Sequence, residues 1–209
     1  PKTCNMCSTS ADNAKILGRR LNQSQGRKPQ QKIGITVSVM KCDNCGLVYP
    51  NPMPIPVDIQ DHYGVPPEEY WTEDFLTFDE NYYHGHLDIL ETISPFKEGM
   101  KALDIGAGIG KCMYAMEKRG YESFGIEPSN PFYERAISNM GMNPDKLKNV
   151  QIEDASFPEN SFDFITFGAV LEHLYNPNSS IKKALYWLKP GGIIAIEVPN
   201  SEWLFAKLF

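Results

Sequence analysis

Leu103-Asp-Ile-Gly-Ala-Gly-Ile-Gly110 is the stretch whose reading decides the fold. Lys101–Ile105 is a short apolar run of strand length. It breaks into glycines at every second position, and from Lys111 to Arg119 the pattern suits a helix closed by Gly120. A strand that passes through glycine into a helix is a sharp βα turn. Gly106, Gly108 and Gly110 allow backbone angles that other residues resist, and they let a ligand approach the main chain at the helix N-terminus. The Gly-x-Gly-x-Gly spacing is not the Gly-x-Gly-x-x-Gly of dinucleotide-binding turns, and no Gly-Lys-Ser/Thr follows it as in a phosphate-binding loop. Asp104, two residues before the first glycine, would repel a pyrophosphate and suits a cationic, amino-acid-bearing ligand.

Strand and helix patterns alternate downstream. Ser123–Ile126 reads as a second strand and Pro131–Met140 as a helix, with proline in its favoured first turn and Gly141 after its end. Val150–Ile152 and Phe162–Phe167 read as third and fourth strands. Ser179–Leu188 reads as a helix closed by Lys189-Pro-Gly-Gly192, and Ile193–Val198 as a fifth strand. Upstream, Tyr83, Leu87 and Leu90 recur at helical spacing between Glu80 and Ser94, and Pro95 stops the run. This alternation predicts an α/β, Rossmann-like, mostly parallel sheet with helices on both faces.

Several polar residues fall at predicted strand ends. Glu127 ends the second strand about 20 residues after the glycines, where a carboxylate can accept both hydroxyls of a ribose; it also suits a helix cap before Pro128-Ser129. Asp154, in Glu153-Asp154-Ala155, can accept the exocyclic amine of an adenine, and it equally suits a turn. Gly168 and His173 follow the fourth strand, whose carboxyl end faces the crevice of an open α/β sheet. An imidazole there has an unperturbed pKa of about 6.5 and can take a proton from a hydroxyl, so His173 is the candidate general base; a cap before Pro177 is its alternative role. Glu172 is its neighbour in sequence and is not paired with it. His84 and His86 flank Gly85 and lack the i, i+4 spacing of helical metal ligands.

The 209 residues are 42% apolar and 22% charged, an ordinary globular composition, and the net charge of −6 is unevenly spread. Residues 1–45 hold eight Lys/Arg against two Asp, while the remainder holds twelve Lys/Arg against twenty-four Asp/Glu. The acidic body argues against a large phosphate-tracking surface, and the basic start leaves room for a smaller one. No apolar run is long enough to span a bilayer and no signal peptide opens the sequence, so a cytoplasmic location is expected.

Four of the five cysteines form two Cys-x-x-Cys pairs, Cys4/Cys7 and Cys42/Cys45. In a cytosolic chain that pattern reads as a metal site before it reads as disulfides. Four thiolates with no open position suit structural Zn²⁺; two disulfides, or iron in the same cage, are the alternatives. Gly46 supplies the positive φ such a turn needs, and Ile33–Met40 is β-branched and leads into the second pair as a strand. The polar run from Arg19 to Gln31 reads as a loop or hairpin tip. The lone Cys112 reads as a small packing residue, although a helix start can lower a thiol pKa. The boundaries follow: a zinc ribbon over 1–49, a proline- and aromatic-rich linker over 50–79, and the α/β domain over 80–209. As a separate module, the ribbon is expected to lose its metal with little effect on ligand binding elsewhere.

Over roughly residues 80–200, the ordered set Leu-Asp-Ile-Gly-Ala-Gly-Ile-Gly, Gly125-Ile-Glu-Pro-Ser129, Glu153-Asp-Ala155, Ser161-Phe-Asp163, Leu171-Glu-His173 and Leu188-Lys-Pro-Gly-Gly192 resembles the class I S-adenosylmethionine-dependent methyltransferases, in the small-molecule branch that includes the ubiquinone-biosynthesis O-methyltransferases. The resemblance implies S-adenosylmethionine above the carboxyl edge of the sheet. Glu127 would hold the ribose, Asp154 the adenine, and Gly106, Gly108 and Gly110 would line the methionine end; Asp104, Ala155 and Gly168 would complete the cofactor-binding set. Cys42-Asp-Asn-Cys-Gly-Leu-Val-Tyr-Pro-Asn-Pro52 resembles the zinc-ribbon front end of methyltransferases from polysaccharide and sugar-modifying pathways, although the 34 residues between Cys7 and Cys42 exceed the spacer of short ribbons.

The expected activity is methyl transfer to a small hydroxylated metabolite, a sugar or sugar nucleotide, with no membrane partner. Two rivals stand beside it: an RNA methyltransferase that binds through the basic ribbon, against which the acidic body and the missing Asn/Asp-Pro-Pro-Tyr motif count, and a non-catalytic S-adenosylmethionine-binding scaffold. The sequence leaves the oligomeric state open. Class I domains continue past the fifth strand, so the C-terminal strands are expected to be missing here, with Ser201–Phe209 as the start of a helix or lid.

Overall fold

The computed structural model describes residues 2–22, 35–79 and 81–200. Most of the expected hairpin tip, the first two residues of the strand expected from Ile33, and the expected helix or lid at 201–209 lie outside that set.

Three antiparallel strands open the chain: β1 (Lys15–Asn22), β2 (Ile35–Lys41) and β3 (Val48–Asn51), in the order β1-β2-β3. Cys4, Met40, Cys42 and Tyr49 are buried together at their base. The proline-rich stretch that follows carries two single-turn helices, α1 (Gln60–Tyr63) and α2 (Pro67–Tyr70), and a 3-10 turn at Glu73–Leu76. Pro67 stands in the first turn of α2, where a missing N–H costs nothing. This segment does not hang free. Leu76 is buried with Ile109 and Phe132, and Tyr70 and Trp71 pack against them.

The second sheet has five strands, all parallel, in the order β6-β5-β4-β7-β8. Helix α3 (His84–Ile93) leads into β4 (Lys101–Ile105), then α4 (Lys111–Lys118), β5 (Glu122–Ile126), α5 (Asn130–Ser138), β6 (Leu147–Lys148), β7 (Phe162–Gly168), α6 (Pro177–Trp187) and β8 (Leu188–Glu197). The period-2 pattern of β4 divides the core. Leu103 and Ile105 meet Ile165, Phe167, Ala184 and Trp187 on the α6 face, whereas Ala102 meets Leu87, Leu90, Met116 and Phe164 on the α3/α4 face. Both faces are covered by helices, which is why the strands read as near-continuous apolar runs. Caps fix the helix starts: the Ser129 side chain accepts from Phe132 N–H at α5, and the Asn176 side chain from Ser179 N–H at α6. No described helix is long and apolar enough to cross a membrane.

Two element boundaries depart from the sequence reading. The third parallel strand is Leu147–Lys148, not Val150–Ile152. Val150 N–H and the Asn149 side chain both donate to the Glu127 carbonyl, so the chain leaves the ladder and turns before the β-branched pair can extend it. At the other edge, Lys189–Gly192 does not separate helix from strand. Phe162 pairs with Leu188 and Phe164 with Ile193, so the Pro-Gly-Gly segment is an irregularity inside β8. After β4, the chain first runs outward to β5 and β6. It then returns to the other side of β4 as β7, so a crevice opens above β4 at the carboxyl edge.

Candidate functional site

The crevice is a cleft of about 580 Å³ bounded by the strand ends, the glycine turn and the 59–83 segment. Gly106, Gly108 and Gly110 have φ of +73°, +56° and +87°, angles that glycine adopts without strain. A Cβ on Gly106 would meet Val170 Cγ2 at 2.5 Å, so the turn also needs the missing side chain for close packing. Trp71 sits over the turn, with its ring 5.0 Å from that of Phe132.

Two buried carboxyls stand at this turn. Glu127 follows β5; its Oε2 accepts from Gly108 N–H at 2.7 Å and its Oε1 from Ser129 N–H at 2.8 Å. Burial pushes its pKa up to about 7 against the lowering effect of those two donors. A carboxylate has about four lone-pair sites, so acceptor capacity remains. Asp104, in β4, is 4% exposed and has no hydrogen-bond partner among the described residues. Burial, then the nearby Glu127 charge, raises its pKa to about 8. An unpaired buried carboxyl is costly, and a cationic group at this place would relieve it.

The structure brings Asp104, Gly106, Gly108, Glu127, Gly168 and His173 to one cleft. It does not bring Gly110, Asp154 or Ala155 to the lining. Gly110 caps α4 and packs against Met142, Asp154 accepts from the Gln151 side chain at 2.6 Å in an exposed turn, and Ala155 is buried in the core. Glu153 lines the cleft at that end instead. His173 ends a 3-10 turn (Leu171–His173), with its Nε2 3.9 Å from Glu172 Oε1, so these neighbours do approach one another. Cys112 is buried, and burial raises its pKa well above that of a free thiol, which leaves it a packing residue.

Other groups meet in the cleft in pairings that the sequence did not signal. Lys111 Nζ lies 4.3 Å over the Phe75 ring and 4.6 Å over the Tyr82 ring, and donates to the Phe75 carbonyl at 3.3 Å. This cation–π cage ties the aromatic segment to the start of α4. At the β7–β8 end, His86 Nε2 is 3.3 Å from Glu197 Oε2; Tyr83 stacks on His86 and shares a 2.6 Å hydrogen bond with Thr166. Helical spacing put Tyr83 and Leu87 on one face but could not say what that face meets.

The four paired cysteines converge away from the cleft. Their Sγ atoms all lie within 4.8 Å of one another, with Cys4–Cys45 and Cys7–Cys42 each at 3.6 Å. Two matching turns present them: Ser8 N–H donates to the Cys4 carbonyl and Gly46 N–H to the Cys42 carbonyl, with φ of +62° at Ser8 and +78° at Gly46. Thiolates about 2.3 Å from one tetrahedral ion lie roughly 3.8 Å apart, so the donor set and its spacing fit Zn²⁺. All four are free thiols in the structure.

The profile of a methyltransferase-domain family matches residues 78–209. Among curated proteins, the chain is 28% identical over 112 residues to a ubiquinone biosynthesis O-methyltransferase from Rhodopseudomonas palustris, covering 51% of this chain and 42% of that protein. It is 30% identical over 157 residues to the 2-methyl-6-phytyl-1,4-hydroquinone methyltransferase of Synechocystis, covering 68% of this chain and 47% of that one. The chain thus spans less than half the length of these relatives. Among solved structures, a SAM-bound amino pentose methyltransferase from Micromonospora echinaspora shares the fold at 17% identity and a TM-score of 0.50, over 58% of this chain and 51% of that one.

Proposed function

We propose, because this chain belongs to the methyltransferase-domain family, that it moves a methyl group from S-adenosylmethionine to a small hydroxylated acceptor, a sugar or sugar nucleotide. The observation that carries the reading is the pair of buried carboxyls at the glycine turn. Asp104 has no hydrogen-bond partner among the described residues and would take an ammonium, and Glu127 has lone pairs left for the two hydroxyls of a ribose. S-adenosylmethionine offers both groups, and when bound it supplies a methyl on a cationic sulfonium. Gly106 and Gly108 shape the main chain that faces it, with Gly110 starting α4 behind them, Gly168 borders it at the end of β7, and Gln151, Ile152 and Glu153 would stand nearest the adenine. Trp71 covers the turn at Gly108 and packs on Phe75 and Phe132. His173 would take the proton of the acceptor hydroxyl as the methyl leaves. The relatives named for methylating quinone precursors and an amino pentose support a small-molecule acceptor.

We assign the four-cysteine cluster to structural Zn²⁺ held by Cys4, Cys7, Cys42 and Cys45, on the strength of four convergent thiols with no fifth donor among them. Calorimetric titration with S-adenosylhomocysteine tests the cleft. One saturable site per chain is expected, and no heat of binding would overturn the reading.

A further inference from the structure

The cleft runs on past the residues placed at the cofactor. Along the carboxyl edge of the sheet, Glu127 follows β5 and Asp104 belongs to β4, while β7 and β8 lie on the other side of β4. Neighbouring strands stand about 4.8 Å apart, so the end of β8 is roughly 10 Å from that of β4. Glu197, the last residue of β8, is the register partner of Gly168 and lines the cleft there. Its Oε2 is 3.3 Å from His86 Nε2 on α3, and the His86 and Glu197 side chains are 52% and 56% exposed, so a ligand can reach both. Both are also held in place. Ala169 N–H donates to the Glu197 carbonyl, the His86 ring stacks on Tyr83 with centroids 4.5 Å apart, and the Tyr83 hydroxyl is fixed by its 2.6 Å bond with Thr166. Thr166 is the register partner of Asp104, so this framework begins one strand away from the buried carboxyl. Tyr82 and Tyr83 span the interval: burial first, with the charges of Asp104 and Glu197 among the further causes, raises the pKa of both. The ammonium and the ribose of the cofactor have their carboxyls in Asp104 and Glu127, so a further carboxylate two strands beyond β4 faces a different molecule. His86 takes one of the roughly four lone-pair sites of that carboxylate. The others repel phosphate and suit hydroxyls, and two adjacent hydroxyls match one carboxylate as a ribose does.

We propose that Glu197 is an acceptor-binding residue that takes two adjacent hydroxyls of the methyl acceptor, and that His86 is the positioning residue that orients its carboxylate. The acceptor is then a vicinal diol whose uncharged, hydroxylated end lies over β7 and β8. In a sugar nucleotide the phosphates point away from Glu197, because a second negative group there is repelled. The proposal rests on the reading of the cleft as a methyltransferase site and adds which part of the acceptor is recognised.

Methyl transfer from labelled S-adenosylmethionine to the metabolite fraction of a cell extract, followed on the full chain against the amount of fraction added, tests this. Glu197→Gln keeps the side-chain size and loses the charge. It should raise the half-saturating amount about tenfold or more, the range for hydrogen bonds to a charged acceptor. The saturated rate should stay near that of the wild type, because binding shared by ground and transition state moves KM and not kcat. His86→Phe keeps a ring on Tyr83 and loses the nitrogen, and should raise the half-saturating amount about threefold to tenfold. In the Glu197→Gln background it should add little, because both changes remove one contact. Calorimetry should give both variants the wild-type affinity for S-adenosylhomocysteine. Periodate cleaves vicinal diols, so treating the fraction with it and quenching with ethylene glycol should abolish its capacity to accept label. If Glu197→Gln fails to bind S-adenosylhomocysteine, His86→Phe and the periodate treatment decide. An unchanged half-saturating amount, a fall in the saturated rate alone, or full acceptor capacity after periodate overturns the proposal while methyl transfer stands. No transfer by the wild type removes the methyltransferase reading and the proposal together.

Discussion

Replacing Asp104 with asparagine isolates the charge of the buried carboxyl, since the two side chains are nearly the same size. The folded pKa values are about 8 for Asp104 and about 7 for Glu127, both raised chiefly by burial. In the unfolded chain they are about 3.9 and 4.3. The folded state therefore binds the extra protons. Their stabilising effect is fully present below about pH 4, is lost progressively as pH rises from there, and is gone once pH has passed through the folded values of about 7 and 8. One proton gives a limiting slope of about 1.4 kcal/mol per pH unit. Between pH 5 and 7, wild type without ligand should lose up to roughly 3 kcal/mol through Asp104, and Asp104→Asn should not; Glu127 contributes its own slope in both proteins. Urea unfolding at pH 5, 6 and 7 measures the difference. The ligand's ammonium needs the ionised Asp104 carboxylate, so wild-type affinity for S-adenosylhomocysteine should rise with pH, by up to about tenfold per unit below pH 8 through Asp104. The variant should bind weakly, keeping only the pH dependence that Glu127 contributes. A stability difference independent of pH, or wild-type affinity in Asp104→Asn at pH 8, would refute the assignment.

Three further outcomes are expected. Glu127→Ala should weaken S-adenosylmethionine binding by about 1.5–3 kcal/mol, the range for hydrogen bonds to a charged acceptor, and calorimetry checks it. Elemental analysis of chain purified without chelator should find one zinc per chain, with X-ray absorption giving four sulfurs at about 2.3 Å; a metal-free protein would count against the cluster's assignment. His173→Asn should lower turnover by roughly 10²-fold with cofactor affinity intact, and near-normal turnover would move the proton acceptor to another group, with His86 beside Glu197 next in line.

The parts of the fold set by local rules could be read from the sequence. The glycines at 106, 108 and 110 require positive φ, the apolar alternation in β4 requires two covered faces, and Cys-x-x-Cys with Gly46 requires a tight turn. What could not be read depends on which distant residues meet. Val150 and Ile152 have strand propensity, yet hydrogen bonds from Asn149 and Val150 to the end of β5 turn the chain away. Asp154 matches the expected pattern, but the turn presents Glu153 to the cleft and gives Asp154 to Gln151. The Lys111 cage, the His86–Glu197 contact and the hydrogen bond from the Asn5 side chain to the Tyr175 carbonyl join segments separated by tens of residues or more, and no periodicity records such pairings. The prolines between 50 and 67 signalled interrupted helix, which the single turns of α1 and α2 reflect. They gave no sign that this segment packs over the glycine turn.

Methyl transfer from S-adenosylmethionine to a small molecule is measured by incubating the chain with methyl-labelled S-adenosylmethionine and a cell extract divided into metabolite, RNA and protein fractions. Label is expected in the metabolite fraction, with an equal amount of S-adenosylhomocysteine formed. Label confined to RNA or protein, or no S-adenosylhomocysteine above the level without the chain, would contradict it.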